Sequence, residues 1–177
     1  MIQPNAITAE RAVLSAMMQA PAELIPEAQN QLCTESFYSP NCQAIFGGLL
    51  EFADVNDSFD LVMFTNWAQD KGKVEGMGGI SNIAEVFTTS PSASQFDHYA
   101  AILKKQRVLR NLLHTTSEAT KSLGEAGAEP DKLLDEIESQ IQQVRSDYED
   151  GNSTVLNQVE SLIELANNLE ELSLIHI

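Results

Sequence analysis

The sequence predicts an all-α fold: a small globular helical subdomain followed by a long antiparallel helical hairpin and a C-terminal linker helix. Three observations carry this prediction. Apolar residues recur at three- and four-residue steps along most of the 177 positions, which is the period of one helix face. Period-two alternation, the mark of a half-buried strand, is weak. Aromatic residues make up 6%, with only 9 Gly and 6 Pro, too few for a turn-rich β sandwich.

The first helix begins at Ile7 or Thr8, and Ala9, Val13, Met17 and Ala20 fall on one stripe before Pro21 ends it. Ala22 to Leu32 is poorer, because Pro26 permits only short helical pieces on either side. Ser36-Phe37-Tyr38-Ser39-Pro40 connects to a helix over Asn41 to Ala53, with Pro40 in its first turn. Ile45, Leu49 and Phe52 share a face there, and Gly47-Gly48 predicts a close helix–helix contact. Asp60 is the expected N-cap of a helix from Leu61 to Lys71, closed by Gly72 at C′. Gly76-Met77-Gly78-Gly79 then turns the chain into Ile80–Phe87.

Ser90-Pro91-Ser92 opens a much longer helix, unbroken from about Ala93 to Leu123. Phe96, Tyr99, Ile102 and Leu103 face one way, continued by Val108, Leu109 and Leu112. Lys104, Lys105, Arg107 and Arg110 read as a solvated basic stripe. After Gly124 and Gly127, Glu129-Pro130-Asp131 starts the next helix, with acids at the positive end of its dipole. Leu134, Ile137, Ile141, Val144 and Tyr148 form a heptad seam two repeats long. Such a seam needs a partner, and the preceding helix, one short loop away, supplies it as an antiparallel hairpin. Apolar surface left over would favour a second subunit. Glu149 to Ser153 is a linker signal, and Val155, Val159, Leu162, Ala166 and Leu169 mark a last amphipathic helix. The reading divides the chain into a head at 1–92, a hairpin at 93–150 and a linker helix at 151–177.

Composition bounds what such a chain does. Hydrophobic residues at 43% and charged residues at 20% are ordinary for a globular chain. Ten basic residues against 26 acidic ones give a net charge of −16, which repels phosphate backbones, so no direct nucleic-acid binding is expected. The acids concentrate late: from Glu118 onward there are 14, against Lys121, Lys132 and Arg145, a solvated acidic face. Cys33 and Cys42 match no metal motif and read as reduced thiols in or near a core. No apolar run approaches a membrane span, and the N-terminus lacks a signal-peptide pattern, so the chain reads as cytoplasmic with no membrane partner.

Catalytic chemistry is not written in the residues. The one Gly-Lys pair, Gly72-Lys73, is followed by Val74, and Trp67 stands where a phosphate loop needs its first glycine. No Gly-x-Ser-x-Gly elbow exists. His98 and His114 are 16 residues apart on one helix, and Asp97 and His98, as helix neighbours, do not face each other. No catalytic, cofactor-binding or metal-ligating residue is expected in this chain.

The order of the pieces resembles the N-terminal domain of the DnaB family of bacterial and phage replicative DNA helicases. The likeness runs from Pro4 and Ala9-Glu10 with Val13-Leu14, through Phe37-Tyr38, Ile45-Phe46, Asp60-Leu61 and Gly78-Gly79. It is most specific at Ser90-Pro91-Ser92-Ala93, Tyr99-Ala100-Ala101-Ile102 and Arg110. Leu14, Phe37, Tyr38, Ile45, Phe46 and Tyr99 are then the family-matching core. Cys42-Gln43 and Asn82-Ile83 depart from the His-Arg and Tyr-Leu pairs common in the family.

The resemblance implies an oligomerisation collar. Family members dimerise through the hairpin, assemble as a trimer of dimers, and hold primase and a helicase loader. Leu134, Ile137, Ile141 and Val144, with Val155, Val159 and Leu162 of the linker helix, become the candidate interface. ATP, Mg and 5′–3′ unwinding belong to an ATPase domain that follows in the family and that this sequence does not contain. The closing Leu172-Ser173-Leu174-Ile175-His176-Ile177 resembles a translated sequencing adapter, so the reading expects an artificial end and a truncated parent. Two alternatives stand beside it: a free-standing collar mimic or regulator without a motor, and an unrelated helical adaptor that dimerises.

Overall fold

The computed structural model describes residues 4–56, 58–89, 93–123, 131–142 and 144–146. These residues form helices and turns, with no strand among them. Helix α1 (Ile7–Gln19) is the centre of the head and packs against α2 (Pro21–Gln31), α3 (Pro40–Ala53), α5 (Gly79–Thr88) and α6 (Phe96–Leu123). Its burial is therefore not a single stripe. Ala9, Glu10 and every residue from Ala12 to Met18 are buried, as expected of a helix walled on several sides. Ala9, Ala12 and Ala16 are small enough to let the neighbours approach. Ser15 is buried too, and its hydroxyl donates to the Phe87 carbonyl at 2.9 Å.

Helix α2 corrects the sequence reading at Pro26, which lies inside one continuous helix. A proline in a helix interior costs roughly 3 kcal/mol, but burying one large aliphatic side chain returns about 1.5–3 kcal/mol. Leu24, Ile25 and Ala28 are all buried against the head, so tertiary packing outweighs the local penalty.

Elsewhere the helix ends follow their residue chemistry. Pro40 is the first residue of α3. Asp60 caps α4 (Leu61–Asp70), its carboxylate accepting from the Val62 and Met63 amides at 2.8 and 3.1 Å. At the far end Gly72 has φ +66°; its N–H bonds the Gln69 carbonyl while the Lys73 N–H bonds that of Ala68. That pair of bonds is a Schellman closure. Gly78 (φ +84°) leads into α5, and an added Cβ there would meet the Asn41 amide at 2.6 Å. Gly48 admits Met77 and lies against the Phe64 and Trp67 rings, whereas Gly47 faces open space. The glycine pair thus makes its close approach through Gly48 alone, and to side chains.

Of the family-matching residues, Leu14, Phe37, Ile45 and Phe46 are buried, with the Phe37 and Phe46 rings 4.9 Å apart. Tyr99 is half-buried against the core. Tyr38 differs: it is 36% exposed and lies at the rim. A second aromatic group, Phe52, Phe59, Phe64 and Trp67, joins α3 to α4 with centroids 5.5–5.9 Å apart. Arg11 and Glu85, 2.6 Å apart, pin α1 to α5 on the outside.

Candidate self-association surface and its joint to the head

Helix α6 is 28 residues long and serves two regions. Its first turns, through Phe96, Ala100 and Leu103, are buried in the head. Farther along only Thr115 is buried, because the partner there is the second helix of the arm, α7 (residues 131–142, with 144–146 also helical). His114, Glu118, Ala119 and Ser122 of α6 line a small cavity with Leu133, Glu136, Ile137 and Gln140 of α7. The chain returns after seven intervening residues, so the two helices run antiparallel.

The heptad seam is divided by this pairing. Val144 is buried and Ile137 lines the cavity against α6. Leu134 is 62% and Ile141 48% exposed. At 100° per residue, Leu134 and Ile141 lie about 70–90° around α7 from the Leu133–Ile137–Gln140–Val144 stripe. On α6, Leu112 and Leu123 lie about 90–110° around from the cavity-lining stripe, in the same rotational sense. Rotations of the same sense and similar size about two antiparallel right-handed helices lead to the same face of the pair. Leu112 (38% exposed), Leu123 (67%), Leu134 and Ile141 therefore share one apolar face of the arm. The sequence reading placed Leu109 and Leu112 with the head-facing stripe. The structure leaves both exposed, since at 100° per residue they lie well over 90° around α6 from the head-facing stripe of Phe96, Ala100, Leu103 and Arg110. Tyr148, Val155, Val159 and Leu162 lie outside the described residues.

The basic stripe on α6 is only partly solvated. Lys104 donates to Gln31 Oε1 at 3.0 Å, and burial lowers its pKa. Arg110 sits where α6 leaves the head. Its guanidinium donates to the carbonyls of Pro4 (3.2 Å), Glu35 (2.7 Å) and Ser36 (3.0 Å), and its Cζ lies 6.0 Å from the Tyr38 ring centroid. On the other side of the same loop, the buried Glu10 carboxylate accepts from the Tyr38 amide at 2.7 Å and the Ser39 amide at 3.0 Å. Burial lowers the Arg110 pKa and Glu10 partly offsets it. Sequence periodicity gave no sign of this joint, apart from the acid Glu10 standing beside apolar core positions.

His98 packs edge-on to Tyr99, and His114 lines the arm cavity. Among the described residues no group of three or more His, Cys, Asp or Glu is placed to hold a metal ion, and no helix is long and apolar enough to cross a membrane. Burial raises the Cys42 thiol to about 11, which leaves it protonated and inert at neutral pH.

Residues 2–105 match the family model of the DnaB-like helicase N-terminal domain. The replicative DNA helicase DnaB of Geobacillus stearothermophilus is 33% identical over 171 residues, covering 97% of this chain and 37% of the relative. The replicative DNA helicase DnaC of Bacillus subtilis is 29% identical over the same coverage. The chain thus spans little more than a third of the length of these relatives. The crystal structure of the N-terminal domain of DnaB helicase from Mycobacterium tuberculosis superposes with a TM-score of 0.70 at 22% identity, covering 81% of this chain and 99% of that one.

Proposed function

Because this chain belongs to the family of DnaB-like helicase N-terminal domains, we propose that it acts in DNA replication as an oligomerisation collar of a replicative helicase. Residues 1–92 serve as the head and 93–150 as the dimerising arm, while 151–177, the expected linker toward a neighbouring motor, lie outside the described residues. Dimers close into a trimer of dimers, and the collar binds primase and a helicase loader. ATP, Mg and 5′–3′ unwinding are the motor's, and this chain contributes assembly and partner contacts.

One observation supports this reading most: the apolar face formed by Leu112, Leu123, Leu134 and Ile141, left uncovered by the arm's own pairing. Full burial of an exposed aliphatic side chain is worth about 1.5–3 kcal/mol, and these four, one-third to two-thirds exposed, gain a corresponding fraction of it. A two-fold pairing of arms would bury this face on both subunits at once. Light scattering over a range of concentrations tests the proposal. The mass should rise from one chain to multiples of two. A mass of one chain at every concentration would overturn it.

A further inference from the structure

We propose that Glu10, the loop 35–39 and Arg110 form a lock that fixes the direction in which α6, and with it the arm, leaves the head. The apolar footing of α6 ends at Leu103: Phe96, Ala100 and Leu103 are buried, with Tyr99 and Ile102 half-buried against the core beside them. From Leu103 to Leu123 the helix runs about 30 Å at 1.5 Å per residue. A tilt of only about 10° at the footing would move the tip by roughly 5 Å over that length. A second point of attachment is needed to hold the angle, and Arg110 supplies it about two turns farther along.

The attachment is directional. Arg110 offers a planar fork of donors, and its three acceptors come from two separate segments, Pro4 on one side and Glu35 with Ser36 on the other. Glu10 of α1 holds the amides of Tyr38 and Ser39, so one loop is gripped through its carbonyls by α6 and through its N–H groups by the central helix. The Tyr38 ring covers the guanidinium while remaining 36% exposed. The arm's side of this joint is made of hydrogen bonds to a guanidinium at the rim, so it can release without opening the core. In an assembly held by the arms, which rests on the function proposed above, the lock sets where the heads stand.

Spin labels carried by unnatural amino acids at the exposed positions 75 and 117 read the angle as a distance distribution, with unlabelled chain added to suppress intermolecular pairs. The native chain should give one narrow distance. Arg110→Lys, which keeps the charge but loses the fork, should broaden it, and Arg110→Gln should at least double the width. The Trp67 fluorescence of the head and the mass of the assembly should stay as in the native chain. An unchanged width in a folded Arg110→Gln chain would overturn the lock. Should that variant lose the head's fold, Arg110→Lys decides: broadening supports the lock and native width overturns it. Failure of the assembly reading shows separately, as a native chain that never self-associates.

Discussion

Glu10 and Arg110 hold opposite sides of one loop without touching each other through a direct bond: the carboxylate takes its amides at Tyr38 and Ser39, the guanidinium its carbonyls at Glu35 and Ser36. A Glu10→Gln chain keeps one acceptor oxygen and turns an NH₂ group toward a backbone N–H. Leaving a buried donor unsatisfied costs about 1–3 kcal/mol. Urea denaturation should show an unfolding free energy lower by that amount, read as a lower midpoint with an unchanged slope.

Asp60 caps α4 through one carboxylate oxygen, which accepts from both the Val62 and Met63 amides. Asp60→Ala should destabilise the chain by about 0.5–2 kcal/mol, read in the same denaturation experiment.

Two glycines should respond with opposite sign. Gly47 lies in α3 with nothing within 4 Å of an added Cβ, so Gly47→Ala should stabilise by about 0.5–1 kcal/mol. Gly78 combines positive φ with a close Asn41 amide, so Gly78→Ala should destabilise by roughly 1–2 kcal/mol or more. Thermal melts of the two variants beside the native chain check the pair.

Cys33 is half-buried and Cys42 buried. A thiol-specific reagent should label Cys33 in the native chain and reach Cys42 only on unfolding. The Cys42 pKa is raised to about 11 in the fold, above its ordinary 9.0. The unfolded chain therefore loses this proton first. The contribution is fully present below pH 9 and is lost as pH rises toward 11, which a pH series of melts should show.

The head's helices were legible because their ends carry local chemistry: Pro40 starts α3, Asp60 caps α4 and Gly72 closes it. Pro26 misled, since local propensity cannot register the burial of Leu24 and Ile25 that holds α2 together. Glu10, Tyr38 and Arg110 stand out among the residues that carry the family resemblance, but their joining was not legible, for a different reason. Its acceptors and donors are mostly backbone groups of a loop, and backbone groups leave no trace in side-chain patterning. The heptad spacing revealed Leu134, Ile137, Ile141 and Val144 as a set, but only the position of α6 separates those facing inward from those facing out.

That separation gives a contrast. Ile137→Asp places a carboxylate against α6 and should reduce helical circular dichroism as the arm opens. Ile141→Asp lies on the open face and should keep native helicity.

Sedimentation equilibrium of the Leu134→Asp/Ile141→Asp chain beside the native one tests the arm as the joining surface most directly. The account predicts native helicity with the mass of a single chain, at concentrations where the native protein sediments as a dimer or larger. A doubly substituted chain that stays folded and sediments with the native mass would contradict it.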